Sequence, residues 1–215
     1  MIKIAPSILA ADLINIKEEV ELIDKNGAEY IHIDIMDGHY VPNITFGPNI
    51  VKSLRAVTNK TLDVHLMISP VAKYIDSFIK AGADIISFHP EADKAANEII
   101  KHIKSNNCKA GIAIHPEKDV SDVVKFLEQI DLVVVMTVVP GFGGQKFMTS
   151  EVKKILELKK IKYKNKLNFE IEIDGGINNE TAKICRDNGA DVLVAGSYIF
   201  SNKKENYKTM IDSLR

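Results

Sequence analysis

Residues 30–48 read YIHIDIMDGHYVPNITFGP, and the first seven of them decide the fold. Ile31, Ile33 and Ile35 alternate with His32, Asp34 and Met36, a period of two that belongs to a β-strand. One face is apolar. The other sets an imidazole and a carboxylate side by side where apolar packing is expected, so the reading of this strand depends on what surrounds it.

The surroundings follow from an internal repeat. NGAEYIHID from Asn26, AGADIISFH from Ala81 and NGADVLVAG from Asn188 each place a helix-ending glycine before a strand. Gly27, Gly82 and Gly189 are spaced by about two and four units of roughly 27 residues, and eight such units fill the chain. Strand candidates fall in order at 2–8, 30–35, 61–67, 84–89, 109–114, 132–136, 169–174 and 191–196. Between them lie stretches such as LINIKEEVELIDKN, PVAKYIDSFIKAG, ANEIIKHIKSNN and EVKKILELKKIKYK, whose apolar residues recur every three to four positions. Strict alternation predicts a parallel sheet with helices outside, and eight units predict a single (β/α)8 TIM barrel spanning residues 1–215, an α/β fold at the lean end of its size range.

Composition narrows the partners. With 28 basic and 29 acidic residues the net charge is -1, which gives no field for drawing in nucleic acid or an anionic membrane surface, and a small molecule is the expected partner. Cys108 and Cys185 lie far apart without CxxC spacing, so neither a disulfide framework nor a thiolate metal site is indicated, and a reducing, cytoplasmic setting fits. Pro6, Ser7 and Asp12 interrupt the apolar N-terminal stretch, and no run of about 18 apolar residues occurs; we read no signal peptide and no membrane span.

In a barrel, the face opposite the helices points at the axis. His32, Asp34 and Met36 therefore point inward, and by the same parity so do Asp63, His65 and Met67, Glu172 and Asp174, and Ser7. His32, Asp34, His65 and Asp174 fall near the C-terminal ends of their strands, where enzymes of this fold keep their active sites. A single inward His or Asp is often a satisfied core residue. Four converging at one level are different, because burying two carboxylates without compensating charge costs several kcal/mol each, on the order of magnitude. A divalent cation removes the difficulty, and two imidazoles with two carboxylates form an N/O set that suits zinc, iron, manganese or cobalt.

Three loops at the same end are rich in glycine: VPGFGGQKF, DGGIN and AGS. Gly175, Gly176, Gly196 and Ser197 follow strands seven and eight, where this fold frequently binds phosphate, and are candidates for a phosphate cradle; plain turn formation is the alternative. Gly141, Gly143 and Gly144 read as a mobile lid over substrate, or as a long turn.

The motifs APSILAAD, HIDIMDGHYVPNITFGP, DVHLMI, AGADIISFHPEA, VVVMTVVPGFGGQKF, EIDGGI and GADVLVAGSYIF, in this order and spacing, resemble the ribulose-phosphate 3-epimerase family almost end to end. The resemblance implies a (β/α)8 barrel, one divalent metal ion per subunit, zinc first among the four candidates, and interconversion of D-ribulose 5-phosphate with D-xylulose 5-phosphate in the pentose phosphate pathway. It implies that His32, Asp34, His65 and Asp174 are metal ligands and that Asp34 and Asp174 are the acid/base pair. It also implies that Ser7 and His65 meet the sugar, that Gly141, Phe142, Gly143, Gly144, Gly175, Gly176, Gly196 and Ser197 surround substrate and phosphate, and that subunits associate as a homo-oligomer. Two positions depart from the family pattern: His115 stands where Asn usually precedes Pro116, and Val139 where a polar residue is common. Neither touches the metal set, and His115 is given no catalytic role.

Inverting a carbon beside a ketone needs one group to take the proton from one face and another to return a proton to the opposite face. Asp34 and Asp174 come from distant strands and are expected to flank the sugar, with an enediolate forming between the two transfers. Met36, Met67 and Met136 are expected to line the pocket, a position that gap-filling core packing explains equally well. Lys3, with inward parity, is expected to neutralise Glu172 and Asp63 inside the barrel. His89 faces the mouth of strand four and either orients a group of the metal site or packs. Rival readings are a D-allulose-6-phosphate 3-epimerase, which shares the metal and the aspartates, and a metal-dependent aldolase, which would release a shorter product.

Overall fold

The structure is a computed structural model and describes residues 2–215. Eight strands form one parallel sheet: β1 (Lys3–Pro6), β2 (Tyr30–Met36), β3 (Thr61–Met67), β4 (Ile85–Phe88), β5 (Lys109–Ile114), β6 (Leu132–Met136), β7 (Glu170–Asp174) and β8 (Val192–Ala195). From β2 to β8 each strand pairs with the next in chain order, and β8 pairs with β1. A parallel bridge between Ser7 and His32, with the Glu29 amide donating to the Ile4 carbonyl at 3.1 Å, brings β1 against β2 and completes the ring. The strands match the expected segments to within one or two residues. β1 is the shortest relative to expectation, because the chain leaves the sheet at Ser7 to form a 3-10 turn at Ile8–Ala10.

Helices cover the outside: α1 (Ile16–Lys25), α2 (Pro48–Arg55), α3 (Ile75–Ala81), α4 (Ala96–Ser105), α5 (Val152–Asn165), α6 (Asn179–Asn188), the short α7 (Ser197–Phe200) and α8 (Tyr207–Ser213). Gly82 and Gly189 end α3 and α6 at φ of 101° and 112°, a left-handed cap that a side chain would strain. The eightfold pattern is broken once. After β5 the chain forms two 3-10 turns, Val120–Asp122 and Val124–Phe126, in place of an α-helix. Their apolar residues Val120, Val123, Phe126 and Leu127 are still buried against the sheet, so the position keeps its packing role while losing its helix. No helix among the described residues is long and apolar enough to cross a membrane.

The core has two parts, as strand parity requires. Ile31, Ile33, Ile35, Leu62, Val64 and Leu66 face the helices, whereas Ala5, Ile85, Ala113, Leu132, Val134 and Val192 pack inside the barrel. Lys3 also points inward, but its expected partners are wrong. Its ammonium meets Glu170 at 2.5 Å and the Tyr30 hydroxyl at 2.7 Å, not Glu172 or Asp63. The flexible stem lets the charge sit at the open bottom of the barrel, where the side chain keeps 34% of its exposure, while Glu172 and Asp63 are fully buried.

Candidate active site

Register stacks the polar side chains in layers. Across β2 and β3, His32 lies beside Asp63, Asp34 beside His65, and Met36 beside Met67. β7 contributes Glu172 and Asp174 from its last three residues. The lower layer holds His32, Asp63 and Glu172, all fully buried; Asp34 and Asp174, 5% and 9% exposed, sit at the edge of the cavity above.

The expected four residues converge. His32 Nε2 lies 3.3 Å from Asp34 Oδ1 and 3.8 Å from Asp174 Oδ2, and His65 Nδ1 lies 3.5 Å from each of those oxygens. One ligand atom from each of the four falls within 4.8 Å of all the others. Within the protein, neither His32 Nε2 nor His65 Nδ1 has a hydrogen-bond partner, although both are buried. Buried polar atoms are rarely left so, and two imidazole nitrogens and two carboxylates aimed into one space fit a divalent cation in number, in chemistry and in their lack of other partners.

The electrostatics agree. Burial opposes charge on His32, but Asp34 and Asp63 outweigh it and hold its pKa well above the ordinary histidine value. His65 is raised likewise, against burial, by Asp174 and Asp34. Burial works to raise Asp34, yet His32 and His65 drive it below the usual carboxylate range. Glu172 is pushed well above its ordinary value, first by burial and then by the neighbouring Asp63. Asp63 Oδ2 accepts from His32 Nδ1 at 2.7 Å, which leaves His32 Nε2 as the nitrogen facing the site.

Above the four residues lies a cavity of about 380 Å³. Ser7, Asp34 and Asp174 line its floor with Met36, Met67 and Met136, so the three methionines are pocket residues as well as packing ones. Ser7 donates to Asp34 Oδ2 at 2.6 Å. His32 and His65 lie beneath this lining. Gly141, Phe142, Gly143 and Gly144 form one wall, and Gly175, Gly176, Gly196 and Ser197 another. Every expected site residue but His32 and His65 therefore lines the cavity at the barrel mouth.

The glycines of DGGIN have a packing cause as well. Gly176 has φ of 66°, and a Cβ there would fall 2.5 Å from the Phe147 amide nitrogen. Gly176→Ala is expected to destabilise the protein by about 1–3 kcal/mol, because the sixth and seventh loops must separate. A denaturant midpoint equal to that of the parent would contradict this packing.

Sequence reasoning missed the residues that come from loop geometry. Thr45 donates from Oγ1 to the Asp34 carbonyl at 2.6 Å and accepts from the Met36 amide, fixing the end of β2. Thr137 donates to the Gly175 carbonyl at 2.6 Å, and Asn43 donates to the Gly141 carbonyl at 2.8 Å. Gln145, Asn178 and Tyr198 also line the cavity. None belongs to a periodic pattern; a polar residue in the segment that follows a strand is the only signal they carry.

A closed parallel barrel with paired acids and unpartnered imidazoles under a glycine-walled cavity defines an enzyme of the (β/α)8 class. The family described as the ribulose-phosphate 3 epimerase family matches residues 3–200. A ribulose-phosphate 3-epimerase of Bacillus subtilis is 47% identical over 216 residues, covering 100% of this chain and 99% of that protein. One of Escherichia coli is 39% identical, covering 99% and 94%. The chain belongs to the ribulose-phosphate 3-epimerase family and is an isomerase. Among solved structures, a 3-keto-L-gulonate-6-phosphate decarboxylase from Vibrio cholerae superimposes with a TM-score of 0.75 over 100% of this chain and 95% of its own, at 16% identity, a likeness of fold alone.

Proposed function

We propose that the chain interconverts D-ribulose 5-phosphate and D-xylulose 5-phosphate at C3, with one divalent metal ion held by His32, Asp34, His65 and Asp174. The observation that carries this reading is the convergence of two unpartnered imidazole nitrogens with two carboxylates at the floor of the cavity. Zinc suits the N/O donors best, with iron, manganese and cobalt as alternatives. When bound, the ion supplies Lewis acidity to the sugar oxygens and positive charge beside the carbon being deprotonated.

The protein's own groups carry the protons. Asp34 removes the C3 proton from one face of ribulose 5-phosphate, and Asp174 returns a proton to the other face; in reverse the roles exchange. The Ser7 hydroxyl, donating to Asp34 Oδ2, fixes the direction in which that carboxylate reaches and, lining the cavity beside it, meets the sugar, while His65 acts from beneath the lining as a ligand. Met36, Met67 and Met136 keep water from the reacting carbon and lower the local dielectric, which strengthens electrostatic interactions with the developing enediolate charge. Gly175, Gly176, Gly196 and Ser197 receive the phosphate, and the segment Gly141–Gly144, carrying the half-exposed Phe142, closes over the sugar.

Ion binding requires neutral imidazoles, whereas His32 and His65 have raised pKa values in the metal-free protein. Loading is therefore expected to release protons, and affinity to rise as pH rises through those raised values. Calorimetry in buffers of different ionisation enthalpy measures the release; uptake of protons, or none, would contradict the assignment.

The full-length similarity to ribulose-phosphate 3-epimerases supports the pentose over a hexose such as D-allulose 6-phosphate, and epimerisation over aldol cleavage. Comparison of kcat/KM on the two sugar phosphates tests the choice, and a preference for the hexose would overturn it. This reading calls for the cytoplasm and the pentose phosphate pathway, in keeping with two buried, unpaired cysteines whose thiols burial pushes up to about 12. The exposed Leu13, Ile14 and Ile44 support the association of subunits that the family resemblance implies.

A further inference from the structure

His89 lies at the end of β4, on a strand that supplies none of the four proposed ligands, and is fully buried. Its Nε2 is 3.2 Å from His65 Nε2, and the two rings are 5.2 Å apart. Pro90 then starts a 3-10 turn, Pro90–Ala92, closed by the Ala92 amide donating to the His89 carbonyl, which folds Glu91 back toward the His89 ring. His89 Nδ1 faces Glu91 Oε1 at 3.7 Å, too far for a hydrogen bond and with no other partner within the protein, and that oxygen accepts from the Tyr40 hydroxyl at 3.1 Å. The Tyr40 ring covers His89 at 5.1 Å.

The hydrogens on this chain are not free to choose. His65 presents Nδ1 to Asp34 and Asp174, so as a neutral ligand it carries its hydrogen on Nε2. That hydrogen points at His89 Nε2, which must accept. The hydrogen of His89 is then on Nδ1, toward the Glu91 carboxylate. We propose that His89, backed by Glu91 and Tyr40, is a positioning relay that fixes the tautomer and ring orientation of His65 for the cation. The proposal rests on the metal reading given above. It makes the two imidazoles unequal: His32 is held by the carboxylate of Asp63, whereas His65 is held by a second imidazole.

Two measurements test it. The first is the zinc dissociation constant by chelator competition. His89→Leu removes the acceptor and is expected to weaken binding by about 10- to 100-fold. His89→Gln, whose amide oxygen can accept from His65, is expected to recover most of the affinity, a rescue that a purely space-filling role does not predict. Glu91→Gln should fall between them. The second is the scalar coupling across the N–H···N hydrogen bond in the ¹⁵N-labelled, zinc-loaded parent, expected between His65 Nε2 and His89 Nε2. Parent-like affinity in His89→Leu, or no coupling between the two assigned nitrogens, overturns the relay. The coupling is read in the parent, so a His89→Leu protein that fails to fold leaves that test in force. Failure of the metal reading shows itself separately, as a parent that takes up no zinc, and overturns the relay's role with it.

Discussion

Asp34→Asn lowers kcat by about 10⁴-fold in both directions, the upper range for loss of a positioned general base. The substitution is nearly isosteric, and the asparagine side-chain carbonyl can still accept from the Ser7 hydroxyl that now binds Asp34 Oδ2. What it removes is the negative charge and the ability to hold a proton. Asp174→Asn produces a loss of similar size for the same reason, applied from the other face of the sugar. Neither change disturbs packing, since both side chains lie at the cavity floor, so far-UV circular dichroism stays close to that of the parent, whereas the midpoint of the zinc-loaded protein falls by whatever the lost carboxylate takes from ion binding. Normal turnover in either variant would refute the acid/base role assigned to that residue.

The second large effect follows from the unpartnered imidazole nitrogens. Stripping the protein with a chelator removes several kcal/mol of charge stabilisation, on the order of a 10³-fold fall in rate, and adding zinc restores it. The same ion stabilises the fold. At a free concentration of about 100 times its dissociation constant, a ligand specific to the native state contributes about 2.7 kcal/mol, read as a rise in the unfolding midpoint. A chelator-treated protein with full activity and an unchanged midpoint would contradict the assignment of His32, Asp34, His65 and Asp174.

The architecture was legible because its signals are local. Parity along YIHIDIM and TLDVHLM separates the helix-facing isoleucines, valines and leucines from the axis-facing His32, Asp34, Asp63 and His65 without any knowledge of tertiary contacts, and the structure keeps every one of those directions. Glycines at recurring helix ends gave the eightfold count. The signal weakened where conformation is decided by competition. Residues 119–129 keep the apolar spacing of a helix but settle as 3-10 turns, the first of them capped at its start by Asp119 and Asp122.

Parity predicts a direction, not a partner. Lys3 does point inward, yet its long stem carries the ammonium to Glu170 and Tyr30, where water reaches it, instead of to the dry pair Glu172 and Asp63. His89 illustrates the same limit. Its inward placement was readable, but its bond to His65 depends on the turn that Pro90 starts and on which nitrogen carries a hydrogen, and neither is encoded in spacing. Thr45 and Asn43 reach the site only because the loop after β2 folds back over the barrel mouth.

The most direct test of the central claim is the fate of the C3 hydrogen when the zinc-loaded protein turns over D-ribulose 5-phosphate in D2O. Two aspartates exchanging protons with solvent from opposite faces predict D-xylulose 5-phosphate that carries one deuterium at C3 and an intact carbon chain. Product that keeps its original hydrogen at C3, or the release of a shorter aldehyde phosphate, would contradict it.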